Sequence, residues 1–180
     1  PLAVTSYYKT ITLSDGTQLS ALVTRPIDMK MKRPIVYEVT SKRKDDAQYA
    51  QSWATAFELG KRGLIVVQID ARGTGASTGT RSPLPYSPQD VKDGVEVIGK
   101  LLKDISANNG QVGIFGLGTS ATLALLIAQQ KPKGLGAVVA LHASENAFWN
   151  DMYADGNLQF DLYRAKQEQL SILPRSPMYN

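Results

Sequence analysis

Short runs that alternate apolar and polar residues open the chain, and from residue 49 onward apolar positions also recur at the three-to-four-residue step of a helix. Residues 6–13 (SYYKTITL) and 18–24 (QLSALVT) flank Asp15-Gly16, a strong tight-turn signal, and predict an antiparallel hairpin at the edge of a sheet. A basic, proline-containing connection leads to residues 34–39 (PIVYEV), which have strand length and β-branched content. Tyr49, Trp53 and Phe57 recur at i, i+4 and i+8 beside Ala50, Ala54 and Ala56, predicting one apolar helix face that ends at Gly60.

Residues 64–69 (LIVVQI) form a near-continuous apolar run, the pattern of a strand covered on both faces. A glycine-rich loop (DARGTGASTG) and a proline-rich connection follow. Ser87-Pro88 then opens a helix whose Val91, Val95, Ile98 and Leu102 form a stripe. Asn109-Gly110 is predicted to turn the chain into a strand over 112–117, an apolar helix covers 121–128, and residues 135–141 (LGAVVAL) make a further buried strand.

Strands alternating with helices at this spacing imply parallel βαβ crossovers, so the fold class is α/β, a mostly parallel sheet with helices on both faces. After His142 the pattern turns aromatic and polar. Residues 158–170 read as helical, and the final LPRSPMYN has no clear element. A sheet closing at His142 leaves a parallel edge without a partner, although such edges are normally covered. The chain is therefore expected to be a fragment, a processed half or one subunit of an assembly, with residues 145–180 or another partner over that edge.

Composition narrows the classes little. Lys and Arg outnumber Asp and Glu by 20 to 16 over 180 residues, and only residues 30–33 (KMKR) and 42–44 (KRK) are locally basic, which is too little for a nucleic-acid surface. No run approaches the roughly 20 apolar residues of a membrane span, so a soluble domain is expected. The chain has no cysteine, which removes disulfides, thiolate metal sites and a cysteine nucleophile. No metal and no cofactor is expected.

Two stretches carry candidate chemistry. The loop from Asp70 to Gly79 follows a buried strand, but the three prolines between Arg81 and Pro88 keep a helix from opening at once, and no Gly-Lys-Ser/Thr follows, which argues against a nucleotide loop. Residues 112–128 (VGIFGLGTSATLALLIA) read as strand, sharp turn and helix, the layout of a G-x-S-x-G nucleophile elbow. There a serine sits on a strained turn, and the next backbone N–H helps hold an oxyanion.

Gly116-Leu117-Gly118-Thr119-Ser120 supplies the first glycine and places Gly118 where the serine belongs. Moving the frame by two makes Ser120 the alternative nucleophile, with Thr122 as the closing small residue and a longer strand. By the apolar pattern Ser120 belongs to the helix. A third reading is that these glycines only let a strand and a helix pack closely.

With these two stretches in place, the chain resembles the X-Pro dipeptidyl-peptidase and cocaine-esterase family of α/β-hydrolases. The resemblance rests on the order hairpin, strand, helix, strand ending in D-x-R-G-x-G-x-S-x-G, helix and V-G-x-F-G, over roughly residues 7–156. Asp15-Gly16-Thr17 with Arg25-Pro26, the Asp90 and Asp93 pair, and His142-Ala143-Ser144 leading to Phe148-Trp149 and Asp151-Met152-Tyr153 support it.

The resemblance implies a serine nucleophile, a later Asp and His, and an oxyanion hole from the N–H after the serine plus a tyrosine hydroxyl beyond the third strand. Carried over, the nucleophile position is Gly118, with no serine, and the oxyanion N–H is that of Thr119. The tyrosine's place falls near Ser41 or Lys42, where there is none; Lys42, Trp149 and Tyr153 become candidate substrate contacts, with Phe148 beside them. The family's Asp and His lie beyond a helical cap in which this chain stops. His142 does not match that base and reads as a partly buried, locally hydrogen-bonded histidine, while Asp70 and Arg72 read as structural ties.

The resulting expectation is an α/β-hydrolase-type core over residues 1–144, truncated after its sixth strand, followed by the beginning of a helical cap or covering segment over 145–180. The resemblance implies a serine hydrolase or peptidase acting on ester or amide bonds, including X-Pro peptides. As written it is expected to be inactive, because Gly118 offers no nucleophile and the Asp and His that the resemblance implies are outside the chain. The alternative is a non-catalytic binding or assembly domain. Expected partners are a small ester or peptide ligand, and a remaining C-terminal part, second chain or homo-oligomer covering the sheet edge, with neither nucleic acid nor membrane.

Overall fold

A computed structural model describes residues 1–40, 43–45, 50–82, 86–144, 146, 153–154, 157–160 and 164. Six strands, β1 (Val4–Thr12), β2 (Gln18–Pro26), β3 (Arg33–Thr40), β4 (Ile65–Asp70), β5 (Asn108–Leu117) and β6 (Leu135–Leu141), make one sheet in the order β1-β2-β4-β3-β5-β6. The hairpin β1–β2 joins β4 antiparallel, whereas β3–β4, β3–β5 and β5–β6 are parallel. Helices α1 (Ala50–Lys61), α2 (Pro88–Asp104) and α3 (Thr119–Gln129) make the crossovers. This is the mostly parallel α/β sheet anticipated from the sequence pattern, in the hydrolase-type form that the resemblance implies.

Parity along the strands divides the sheet into two faces. Ile35, Tyr37, Val39, Ile65, Val67, Ile69, Val112 and Ile114 pack with Val97, Ile98 and Leu101 of α2 and Leu123, Ala124 and Ile127 of α3 in one core. The Tyr37 hydroxyl donates to the Gly94 carbonyl at 2.9 Å, and its burial pushes the phenol well above its ordinary pKa. The opposite face carries α1.

Local signals were mostly where the pattern put them, with instructive shifts. Ser87 caps α2, its hydroxyl accepting from the Asp90 N–H while the Asp90 carboxylate accepts from the Ser87 N–H, a capping box worth on the order of 1 kcal/mol. Of the expected stripe only Ile98 is fully buried. The contact line of α2 instead runs through Gly94, where a Cβ would strike the Ile127 side chain. Helix α1 ends at Lys61 rather than Gly60, and Gly63, at φ 97°, makes the left-handed cap.

Trp53 and Phe57 are about half exposed instead of forming the buried face of α1, which lies against the sheet through Ser52, Ala56 and Gly60. Asn109-Gly110 lies inside β5 rather than before it, because Asn108 already pairs with Arg33. Beyond β6, a short antiparallel pair, β7 (Tyr153–Ala154) and β8 (Asn157–Leu158), takes the start of the stretch read as helical, while Phe160 and Arg164 are helical.

The α1 face holds a buried polar chain. Gln68 Nε2 donates to Ser52 Oγ, and Ser52 Oγ donates to Glu38 Oε2, both at 2.8 Å. Gln68 Oε1 has no hydrogen-bond partner among the described residues. Desolvation raises the Glu38 pKa above its ordinary value, outweighing the Ser52 bond. The folded state thus holds the Glu38 proton more tightly than the unfolded chain, and ionising it at neutral pH costs stability. We predict that Glu38→Gln is more stable than the parent in urea denaturation at pH 7.5, and that the gain disappears below about pH 4.

Candidate active site

The carboxyl ends of β5 and β6 meet the start of α3 at Gly116-Leu117-Gly118. A Cβ at Gly116 would collide with the Ser120 carbonyl and the Ala121 amide, so glycine is what lets α3 lie this close to β5. Gly118 turns the chain at φ 60°, ψ −117°, a conformation costing a residue with a Cβ on the order of 1–3 kcal/mol. Its N–H donates to the Leu141 carbonyl at 2.8 Å, and its carbonyl accepts from Ala121 and Thr122 at 3.0 and 3.1 Å.

Space above this turn is open among the described residues: a Cβ built on Gly118 meets none of them within 4 Å. The Thr119 N–H stands at the first turn of α3, which has no side-chain cap and no acidic residue. The helix dipole there favours developing negative charge. The geometry thus offers a strained turn, room for a projecting group and an amide for an oxyanion. It offers no oxygen nucleophile at position 118.

Two polar clamps hold the loops around this end of the sheet. Asp70, fully buried at the end of β4, accepts from the Lys44 N–H at 2.7 Å, Lys44 Nζ at 2.9 Å and the Ala76 N–H at 3.1 Å, joining the loops after β3 and β4. Lys44 Nζ also meets Asp45 at 2.9 Å, and the Trp53 indole donates to the Lys44 carbonyl. Desolvation pulls the Lys44 ammonium down, but Asp70 and Asp45 more than offset it, leaving its pKa above the ordinary value.

Arg72 makes the second clamp. Its Nε and Nη2 donate to the two Asp93 oxygens at 2.7 and 2.8 Å, Nη2 also reaches Asp15 at 2.8 Å, and Nη1 donates to the Thr17 hydroxyl. The fork ties the β4 loop to the β1–β2 turn and to α2. The Thr17 backbone N–H and hydroxyl, and then Arg72, lower the Asp15 pKa to about 2. The Asp15 contribution to stability is therefore complete above its unfolded pKa of about 3.9 and lost as pH falls through about 2.

Of the residues singled out from sequence, Gly118 and Thr119 stand together at the turn. Ser120 is the second residue of α3, half-buried, with its carbonyl against Gly116, and off the strained position. Tyr153 lies in β7, opposite Leu158. Ser41, Lys42, Phe148 and Trp149 lie outside the described residues. His142 is exposed rather than partly buried, at φ 54° just past β6. The segment after β6 is tied to α3 by the Ser144 N–H, which donates to Thr122 Oγ1 at 3.0 Å.

Sequence reasoning missed Lys44, which stood only as part of the short basic run 42–44. The available signal was Asp70. A carboxylate ending a fully buried strand needs a cationic or amide partner, and residues 42–44 are the basic group at the exit of the neighbouring parallel strand.

An α/β sheet with a strained β5–α3 turn above its carboxyl edge defines the class as α/β-hydrolase. The sequence profile described as X-Pro dipeptidyl-peptidase (S15 family) matches residues 15–173, and the chain belongs to that family.

Among solved structures, a CocE/NonD family hydrolase from Staphylococcus aureus superposes with TM-score 0.78 at 22% identity, covering 94% of this chain and 34% of that one. An aminopeptidase from a marine sediment Thaumarchaeota archaeon gives 0.73 at 20% identity, covering 92% of this chain and 30% of that one. An α-amino acid ester hydrolase gives 0.69 at 22% identity, covering 87% and 28%. The chain thus spans about a third of the length of these structures. No curated protein matches it by sequence.

Two sets of variants separate the roles of these positions. Gly118→Ala is expected to cost about 1–3 kcal/mol in chemical denaturation, from backbone strain alone, and Gly116→Ala more, since α3 must move. Lys44→Met, which strips a buried partner from Asp70, is expected to cost about 3–5 kcal/mol in the same measurement.

Proposed function

We propose that this chain presents the acyl- or peptide-binding floor of an S15-type hydrolase site and does not itself cleave through a serine at the elbow. The observation that carries the reading is Gly118, which adopts the turn of a nucleophile elbow with open space above it among the described residues and no side chain to attack with. The Thr119 N–H supports it, as a donor placed where an ester or amide carbonyl oxygen would sit beside the elbow. An elbow without its nucleophile keeps binding and oxyanion stabilisation but loses the covalent step.

Kinship with the S15 family makes peptide bonds after proline, and simple esters, the substrate class to try. The names of the superposed structures, an aminopeptidase and an α-amino acid ester hydrolase, agree with a ligand bearing an acyl or aminoacyl group. A second reading, a domain that binds or assembles without turnover, shares the absence of an oxygen at position 118.

A fluorophosphonate probe and Gly-Pro-p-nitroanilide test the proposal. No labelling is expected, and no p-nitroaniline release. The Gly118 and Thr119 amide resonances should shift on titration with the peptide. Labelling of Ser120 together with release would overturn the reading, and an unshifted elbow would remove the ligand class.

A further inference from the structure

The register of β5 and β6 ends with Leu117 opposite Leu141, and the Gly118 N–H donates to the Leu141 carbonyl at 2.8 Å. One residue further on, His142 stands beside Gly118, at a separation on the order of the 5 Å between neighbouring strands. The two residues turn together, at φ 60° and φ 54°. Glycine takes that conformation freely, whereas histidine carries a Cβ into it and is strained.

The backbone on both sides of His142 is anchored to the elbow, through Leu141 to Gly118 and through the Ser144 N–H to Thr122 Oγ1 at 3.0 Å. These ties hold the strained conformation in place. Nothing inside the fold uses the side chain, since His142 is exposed and makes no hydrogen bond or ion pair with a described residue. Lys131 gives the contrast: it too is left-handed, but it closes helix α3, where such a residue is an ordinary ending. Strain held beside a site, with no internal partner to need it, points to a ligand. The vacancy at position 118 adds to this. The place a serine hydroxyl would take is open among the described residues and roomy enough for one water molecule.

We propose that His142 is a catalytic base that delivers water, in place of a serine, to an activated ester bound at the elbow. The proposal rests on the reading that the Thr119 N–H receives the ligand's carbonyl oxygen. The His142 imidazole takes one proton from the water as the water oxygen bonds to the carbonyl carbon, and the carbonyl electron pair moves onto the oxygen at the Thr119 N–H. The tetrahedral carbon then expels a phenolate, breaking the ester C–O bond and leaving the free acid, and the imidazolium returns its proton to solvent. No covalent bond to the chain forms. A phenolate leaves without a proton and an anilide nitrogen does not, so esters of acidic phenols are the substrate class, and the Gly-Pro anilide stays intact.

The test is hydrolysis of p-nitrophenyl butyrate by the 180-residue chain and by His142→Asn and His142→Gly, two replacements that accept a positive φ. The parent is expected to release p-nitrophenolate at a rate that saturates with substrate, slows in D2O, survives fluorophosphonate and leaves no acyl group on the protein by mass spectrometry. Both variants should lose about 100-fold in kcat, while His142→Gly melts no lower than the parent. Unchanged turnover in the variants overturns the proposal. So does a rate that never saturates and matches free imidazole, or an acyl group found on His142. The amides of Gly118 and Thr119 separate this failure from that of the reading beneath it: if they shift with the peptide but the ester is not turned over through His142, the binding floor stands and the base falls, whereas unshifted amides remove both.

Discussion

The contact of α3 with β5 at Gly116 governs the functional end of this molecule. With no Cβ between them, helix and strand approach until the Ser120 carbonyl lies over Gly116, and the connection is left with a single residue, Gly118, to reverse direction. That compression produces the φ 60°, ψ −117° turn and aims the first amides of α3 across the end of the sheet. The same knot is tied to the exit of β6 through Gly118 N–H to Leu141 and Ser144 N–H to Thr122. Three element ends are thus positioned by one close approach.

Around that knot the loops are held by charge. Asp70 and Lys44 close the space between the β3 and β4 loops from inside, where both side chains are shut off from water. A buried pair of this kind adds little net stability against an apolar replacement, but once built neither half can be lost cheaply. Arg72 works nearer the surface and joins three elements through one planar fork. The sequence string that points to the family, D-x-R-G-x-G, therefore marks the two clamps of this loop.

Much of the architecture was legible in the sequence because apolar spacing reports burial directly. The six strands and three helices stand close to where their periodicity places them, and Ser87-Pro88 opens α2 as its side chains require. Features that escaped the pattern depend on partners distant in sequence. Gly94 has no hydrophobicity to count, yet it centres the contact of α2 with Ile127. Lys44 was only one of a short basic run until β3 and β4 were seen to be neighbours. Trp53 and Phe57 were expected inside, but the wall of α1 that meets the sheet is made of small and polar residues matching Glu38 and Gln68. At the site, spacing offered Gly118 as one of several readings of the turn, and only the family resemblance singled it out. The actual backbone conformation of Gly118, φ 60° and ψ −117°, was not readable there.

A high-resolution structure of the Gly118→Ser variant tests the central claim, that the chain keeps a nucleophile turn without its nucleophile. The account predicts that the backbone at position 118 stays near φ 60°, ψ −117°, with α3 unmoved and the new hydroxyl projecting into the open space beside the Thr119 N–H. If position 118 relaxes to a helical or extended conformation, or α3 withdraws from Gly116, the turn is an ordinary packed glycine connection and the account fails.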